Sequence, residues 1–157
     1  MDETMGSRSF HPELKTRTDK EMAFQLDIVT PEKTYFSDQV DYVYLPGTDG
    51  EIGVLPMHAG LVTSLKAGAM RYMHGGKEEA LAIGSGVAEV CQDKVVVLTD
   101  MALGEEEIDI ARAEEAIQRA QEKLAGVEHS LDAEEVAYLQ GVIAKSTAAI
   151  QFKRKTH

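Results

Sequence analysis

The stretch Pro46–Val62, PGTDGEIGVLPMHAGLV, decides the fold of the first part of this sequence. Four glycines and two prolines stand among short apolar runs, and glycine supplies the backbone freedom that tight turns require. The stretch therefore predicts short strands joined by tight turns, with Thr48, Asp49 and Glu51 projecting outward. Taken by itself, this pattern is typical of a solvated hairpin turn, while His58 leaves a metal site open as an alternative.

The sequence on either side, from Phe24 to Thr99, has the pattern of a β-sheet protein. FQLDIV alternates apolar and polar residues, as a half-buried strand does. Further candidate strands are QVDYVYLP, EIGVL, LVTSL, AMRYM, EALAI, VAEVC and KVVVLT. QVDYVYLP alternates poorly, so we expect one strand covered on both faces. Many short strands with turn signals about every 8–12 residues predict an antiparallel β-sandwich or barrel, here over residues 23–103.

The composition changes after Leu103, where proline disappears and Ala, Glu, Gln and Lys dominate. Apolar residues then recur at steps of three and four, which indicates two amphipathic helices. The first stripe is Ile110, Ala113, Ile117, Ala120 and Leu124, and the second is Val136, Leu139, Ile143 and Ile150. Asp132 and Glu135 have the spacing of a helix-capping pair. Residues 104–157 thus predict an antiparallel two-helix hairpin, and together with the strand region they predict an α+β fold. The alanines in the first stripe weaken the packing between the helices, so we expect a hairpin that can move.

Length, charge and hydropathy limit the function. A chain of 157 residues fits one domain, or one modest domain with an appendage. The net charge of -11 argues against nucleic acid as a partner, because phosphate binding needs clustered Lys and Arg. No apolar run approaches the ~20 residues of a membrane helix. Residues 1–22 lack a signal peptide's apolar stretch and predict a flexible tail, with Met22 a candidate start of the natural protein.

Residues that could carry chemistry are few. Cys91, in VAEVC, has no neighbouring base and is predicted to lie in the core. A cupin-like metalloenzyme using His58, with His74 as second ligand, would need about three or four converging ligands. The spacing offers no H-x-H pair, so local hydrogen bonding is the favoured interpretation. A phosphate-binding loop and a nucleophile–base pair are also missing from the sequence, which predicts a chain that is not an enzyme and has no catalytic or metal-binding residues.

Four motifs in a fixed order carry a resemblance to a known family. They are GEIGVLPMHAGLVTSLKAG (Gly50–Gly68), GSGVAEV (Gly84–Val90), KVVVLTD (Lys94–Asp100) and IDIARA (Ile108–Ala113). From Ala23 to about Lys155 the sequence resembles the epsilon subunit of F-type, proton-translocating ATP synthases, with Met57 standing where that family has a small residue. The resemblance implies a non-catalytic rotor subunit at the foot of the central stalk, coupling proton translocation to ATP synthesis.

The resemblance also implies partners and a location. The sandwich is expected to bind the gamma subunit and the c-ring, with Asp49, Gly50 and Glu51 as c-ring contacts. The hairpin is expected to fold against the sandwich or to extend to the alpha and beta subunits and restrain ATP hydrolysis. Its basic residues, expected to contact that catalytic head, are Lys145, Lys153, Arg154 and Lys155. The expected location is peripheral, at the cytoplasmic face of a bacterial plasma membrane.

The IDIARA segment has two interpretations. From the residues alone, Asp109 caps a helix and Arg112 forms a local ion pair with it. The resemblance implies instead a site for a regulatory ATP. The residues that match it are Ile108, Asp109, Arg112 and Ala113. Val142 and Ser146, which carry no charge, are expected to face that site from the second helix, with Lys145 as the nearby cation. A triphosphate would have few charge-assisted partners there, so any ATP binding is expected to be weak.

Overall fold

The computed structural model describes residues 23–57, 59–126 and 131–156. These residues form a strand-built base followed by two helices. The strands are β1 (Phe24–Val29), β2 (Thr34–Val40), β3 (Val43–Gly47), β4 (Gly50–Val54), β5 (Leu61–Leu65), β6 (Gly68–His74), β7 (Lys77–Ile83), β8 (Gly86–Cys91), β9 (Lys94–Thr99) and β10 (Ala102–Leu103). A 3-10 turn at Glu105–Glu107 leads to α1 (Ile110–Gly126) and α2 (Ala133–Lys155). The predicted α+β fold is confirmed.

The strands form a hydrogen-bonded path in the order β10-β7-β6-β3-β5-β8-β9-β1-β2, with β4 paired to β3 beside it. The pairings among the described strands are antiparallel, as predicted, except that β1 and β9 run parallel. The path folds back on itself: Phe36 of β2, at one end of the path, packs on Tyr72 of β6, near the other end, with ring centroids 4.6 Å apart. The enclosed core includes Leu26, Ile28, Leu45, Met70, Leu81 and Ile83, all fully buried.

The prediction of one strand over QVDYVYLP is wrong. β2 ends at Val40 and β3 begins at Val43. Between them the chain leaves β1 and joins β6: the Asp41 N–H donates to the Met73 carbonyl at 2.9 Å, and the Met73 N–H donates to the Tyr42 carbonyl at 3.1 Å. The poor alternation of this segment therefore reflects a change of partner strand.

Cys91 is exposed, so its predicted core position is also wrong. Ala88 and Val90 of β8 are buried in the core. Side chains alternate between the two faces of a strand, so Glu89 and Cys91 point away from that core. The strand prediction was correct, but it put this residue on the wrong face.

The helices begin and pair as predicted. The Asp132 carboxylate accepts a hydrogen bond from the Glu135 N–H at 2.8 Å and caps α2. Ala120 of α1 and Leu139 of α2 are buried, and both line a cleft between the helices. Within the described part of the chain, neither helix is long and apolar enough to cross a membrane.

The hairpin also packs on the base, through a second small apolar cluster. Ala149 and Phe152 of α2 meet Ala82 of β7 and Ile108 there. Leu81 and Ile83, on either side of Ala82, belong to the main core. β7 is therefore covered on both faces at this end, and α2 has a second apolar face beyond the single predicted stripe.

Candidate functional site

The three predicted contact residues lie where β3 turns into β4: Asp49 is in the turn, and Gly50 and Glu51 begin β4. All three are exposed. Gly50 has φ = 131°, a conformation that side-chain-bearing residues rarely adopt. The turn is attached to β5, because the Thr48 N–H donates to the Ser64 carbonyl at 3.1 Å. The predicted tight turn is therefore present, with its acids on the surface at a defined end of the sandwich.

A surface cluster that the sequence did not reveal lies beside this turn. We call it the Arg71 cluster; its members are Tyr42, Tyr44, Glu51, Arg71 and Glu78. The Arg71 guanidinium lies 4.0 Å from the centroid of the Tyr44 ring. Its nitrogens lie 3.8 Å from Glu51 Oε1 and 3.2 Å from Glu78 Oε2. Four strands (β3, β4, β6 and β7) and the link before β3 contribute these side chains, so no local spacing could have predicted the contacts.

The same cluster contains a strong hydrogen bond between a phenol and a carboxylate. The Tyr42 hydroxyl donates to Glu78 Oε2 at 2.6 Å. This bond, with a smaller contribution from Arg71, lowers the pKa of the Glu78 carboxyl. The same bond raises the pKa of Tyr42, because it holds the phenolic proton. At neutral pH the cluster therefore contains a charged carboxylate held between a phenol and a guanidinium.

His74, the histidine that the structure describes, does not support the metal interpretation. His58 lies outside the described residues. His74 Nε2 lies 3.1 Å from Asp38 Oδ2, and its ring stands edge-on to Phe36 with centroids 5.0 Å apart. Over residues 23–57, 59–126 and 131–156, no group of three or more His, Cys, Asp or Glu side chains could hold a metal ion. His74 thus makes local contacts, and the residues that the structure describes give no support to the cupin-like metalloenzyme.

The four residues of the predicted nucleotide site do lie together. Their shared cavity, about 240 Å³, lies where the base meets the helices. Its lining includes Ile108, Asp109, Arg112 and Ala113, with Met101, Leu103, Glu107, Ser146 and Ala149. We call it the hinge cavity. Asp109 caps α1 by accepting a hydrogen bond from the Arg112 N–H at 3.2 Å. Among the described residues the Arg112 guanidinium has no carboxylate within ion-pair distance, so the predicted ion pair is wrong and the cation is available.

The residues expected to face this site are only partly right. Ser146 lines the hinge cavity, whereas Val142 lines the cleft between the two helices. Lys145 lies elsewhere, with its ammonium 3.9 Å from Asp100 Oδ2. The nearby cation is Lys153, whose ammonium donates to the Ile108 main-chain carbonyl at 2.5 Å. Lys153 was missed because it reaches this point only when α2 folds back along α1.

Three of the four basic residues expected to contact the catalytic head are engaged within this chain. Lys145 faces Asp100 of the base, and Lys153 binds the carbonyl that precedes α1. Arg154 pairs with Glu114 of α1 at 3.2 Å. Lys155 is exposed. Lys153 and Arg154 at the end of α2 thus hold the hairpin closed, and Lys145 in the middle of α2 pairs with the base.

A tyrosine of the base holds the segment that leads into the hairpin. The Tyr35 hydroxyl of β2 donates to Glu107 Oε1 at 3.0 Å, and the same oxygen accepts the Gly104 N–H at 2.9 Å. Burial of the ring, and then the bond to Glu107, raise the pKa of Tyr35 to about 12. The 3-10 turn is therefore tied to the sandwich by a neutral phenol.

Comparison with known proteins identifies the family. Residues 23–105 match the family model described as ATP synthase, Delta/Epsilon chain, beta-sandwich domain. The ATP synthase epsilon chain of Desulforamulus reducens is 50% identical over 100 residues, which cover 64% of this chain and 76% of the relative. That of Dehalococcoides mccartyi is 44% identical over 125 residues, covering 80% and 82%. That of Nitratidesulfovibrio vulgaris is 42% identical over 126 residues, covering 80% and 94%.

Solved structures share the fold. A chain in the Euglena gracilis mitochondrial ATP synthase, OSCP/F1/c-ring assembly, aligns with TM-score 0.63 and 22% identity over 86% of this chain and 82% of its own. A chain in the Tetrahymena thermophila mitochondrial ATP synthase, central stalk and c-ring, aligns with TM-score 0.52 and 12% identity, over 81% and 96%. With relatives up to 50% identical, the resemblance first seen in four motifs is confirmed. The chain therefore belongs to the family of ATP synthase epsilon chains, which are non-catalytic subunits of the ATP synthase complex.

Proposed function

We propose that this chain is a rotor subunit that couples proton translocation to ATP synthesis, with its base bound to the gamma subunit and the c-ring. The family membership carries the proposal. It is supported by the fold, because the base has a closed core of its own, as an element that transmits torque requires. The similar chains of known structure come from assemblies that contain a c-ring or central stalk.

The c-ring contact is proposed for Asp49, Gly50 and Glu51. These exposed residues lie in the turn and at the start of β4, and their direction is set by β3, β4 and β5. A turn fixed on a sheet presents its acids with little conformational freedom, which reduces the entropy lost on binding. The turn is thus suited to a contact between two rigid parts of the rotor, the base and the c-ring.

The hairpin is proposed as a movable arm that restrains ATP hydrolysis when it reaches the alpha and beta subunits. Over the described residues its contacts with the base include one small apolar cluster, the Lys145–Asp100 pair and the Tyr35–Glu107 bond. Exposed ion pairs contribute about 0–1 kcal/mol each, so binding of the hairpin to partner surfaces can replace its contacts with the base. Lys145, Lys153 and Arg154 would then exchange partners within this chain for partners on the head, and Lys155 would add a fourth cation.

A second function, weak binding of a regulatory ATP, is supported by one observation. Ile108, Asp109, Arg112 and Ala113 line a single cavity that Ser146 closes from α2. Arg112 and Lys153 supply positive charge, whereas Glu107 and Asp109 oppose a triphosphate. We therefore expect an affinity weaker than micromolar, and calorimetry of the isolated chain with ATP tests this. Micromolar binding that survives Arg112→Ala would contradict the assignment of this site.

The proposed location follows from the partners. A subunit bound to the c-ring lies peripherally against the membrane that contains the ring, here at the cytoplasmic face of a bacterial plasma membrane. The curated relatives named above are bacterial proteins. Fractionation of cells tests the location: the chain should sediment with membranes and be released with the catalytic head and central stalk.

The decisive experiment is purification of the intact complex through this chain, with and without Asp132–His157. The full chain should recover the gamma subunit and the c-ring, and the shortened chain should do the same through its base. The shortened chain should also raise ATP hydrolysis by the complex. Failure to recover gamma and c-ring would overturn the rotor assignment, and unchanged hydrolysis would overturn the inhibitory arm.

A further inference from the structure

The Arg71 cluster joins the turn proposed to contact the rotor to the body of the sheet. Tyr44 of β3 has Arg71 of β6 as its neighbour on one side and Gly53 of β4 on the other. Glu51 stands opposite Pro46, two residues along β3 on the same face. The Arg71 side chain thus crosses a whole strand, over the Tyr44 ring, to reach a carboxylate on the far side.

This reach depends on a flat cation stacked on a flat ring. The Arg71 Cζ lies 4.0 Å from the Tyr44 centroid, well within the ~6 Å over which a cation and a ring attract each other. The stack leaves the fork of the guanidinium free, one nitrogen facing Glu51 and another Glu78. Glu78 is itself held by the Tyr42 hydroxyl. Arg71 is therefore restrained from two sides before it meets the turn.

Gly53 is part of the same arrangement. A Cβ at this position would lie 2.8 Å from Tyr44 Cε1, closer than atoms in contact allow. The absence of a side chain at 53 lets the Tyr44 ring lie across β4, where Arg71 can cover it. Strand, ring and guanidinium are thus packed as successive layers beside the turn.

The turn needs such a restraint because of its place in the sheet. Among the described strands β4 pairs only with β3, so its other edge has no strand partner. Glu51 is the second residue of β4, directly after the turn. Edge strands and turns open more easily than central strands, since fewer hydrogen bonds hold them. A side-chain tie from β6 therefore acts on a described strand that has a strand partner on one side only.

We propose that Arg71 is a positioning residue for the rotor contact, holding Glu51 and the turn before it in the orientation that the partner binds. This inference rests on the proposed c-ring contact of the turn. Lysine would not replace Arg71, because its ammonium cannot stack on Tyr44 while directing separate donors at two carboxylates. Arg71→Lys therefore removes the positioning and keeps the charge.

The first test uses the isolated full-length chain and measures hydrogen exchange of the β4 amides. Arg71→Ala and Arg71→Lys should both speed exchange in β4 by about two- to thirty-fold, the range expected for losing a cation–ring contact and an exposed ion pair. The matched control is Arg119→Ala, which breaks an exposed arginine–glutamate pair on α1 at 2.8 Å and should leave β4 unchanged. Wild-type exchange in both Arg71 variants would overturn the proposal.

The second test measures affinity of the labelled chain for the complex stripped of this subunit. Arg71→Lys should weaken binding several-fold in the wild-type background, and much less in a Glu51→Gln background, because the residue acts through Glu51. An equal loss in both backgrounds would overturn positioning through Glu51. If Glu51→Gln and Asp49→Ala bind like wild type, the proposed c-ring contact is wrong. Faster β4 exchange in Arg71→Lys would in that case still show that Arg71 orders the turn.

Discussion

The ammonium of Lys153 and the main-chain carbonyl of Ile108 are joined by a 2.5 Å hydrogen bond. It connects the last turn of α2 to the residue that leads into α1, so the two ends of the hairpin meet at the point where the hairpin leaves the base. A charge-assisted bond in a half-buried place is among the stronger single contacts a side chain can make. The closed hairpin is thus fastened at its root.

Lys153→Met should loosen that root. The variant keeps most of the apolar stem, and it leaves the Ile108 carbonyl without its donor, which should cost about 1 kcal/mol. Amides in the last two turns of α2 should exchange about five-fold faster. The control is Lys155→Met on the same turn, whose side chain is exposed. Identical exchange profiles for the two variants would show that the bond does not hold the helix.

Ala82→Leu should detach the hairpin from an intact base. Ala82 is fully buried under Ile108, Ala149 and Phe152, and it faces away from the main core. A larger side chain there should cost about 1–3 kcal/mol of hairpin docking. Small-angle scattering should detect a larger radius of gyration, with the exchange protection of β1 and β9 unchanged. Ala80→Leu, exposed on the same face of β7, is the control, and equal effects of the two variants would refute this account.

Stability should fall in alkali partly through Tyr35. Its pKa rises from 10.0 to about 12 on folding, so the folded chain holds the phenolic proton more tightly than the unfolded chain. The resulting stabilisation is complete below pH 10 and is lost as the pH rises towards 12. Urea titrations should therefore show a steeper loss over this range for wild type than for Tyr35→Phe. Tyr138→Phe, at an exposed position, should follow wild type, and parallel curves for wild type and Tyr35→Phe would contradict the raised pKa of Tyr35.

Met57→Gly should stabilise the chain. Met57 has φ = 65°, a left-handed conformation in which a β-carbon is strained, and its side chain is 68% exposed. Removing the strain should raise the free energy of unfolding, measured by denaturant titration, by about 0.5–1 kcal/mol. This net gain already allows for the entropy that glycine adds to the unfolded chain. Met57→Ala keeps the strained β-carbon and should gain nothing. An equal gain from alanine would mean that loss of the exposed thioether, not backbone strain, is responsible.

Much of the fold could be predicted because the signals are local. Alternation predicted the strand at FQLDIV, and the steps of three and four predicted both helices. Asp132 was recognised as a cap from its distance to Glu135, a spacing that every capped helix repeats. The turn beside Asp49 and Glu51 could also be predicted, because the glycines there supply the backbone freedom that a tight turn requires.

Some errors concern relations between segments, whereas the error at Cys91 lies within one strand. The break after Val40 occurs because the chain exchanges β1 for β6, and the alternation of one segment does not state its partners. Cys91 was assigned to the core although the period of its strand puts it on the outer face. Lys145 was expected beside the hinge cavity, whereas it pairs with Asp100 and Lys153 reaches the Ile108 carbonyl, because the way α2 docks decides which groups each lysine meets.

The sequence by itself determined the division into a strand-built base and a helical hairpin, because the change from a period of two to a period of 3.6 is written into neighbouring residues. Tertiary structure alone decided that Lys153 meets Ile108 and that Arg71 reaches Glu51 across Tyr44. Such contacts join residues that strand register and helix docking bring together. Their energies depend on distances of a few ångströms, which no spacing along a chain records.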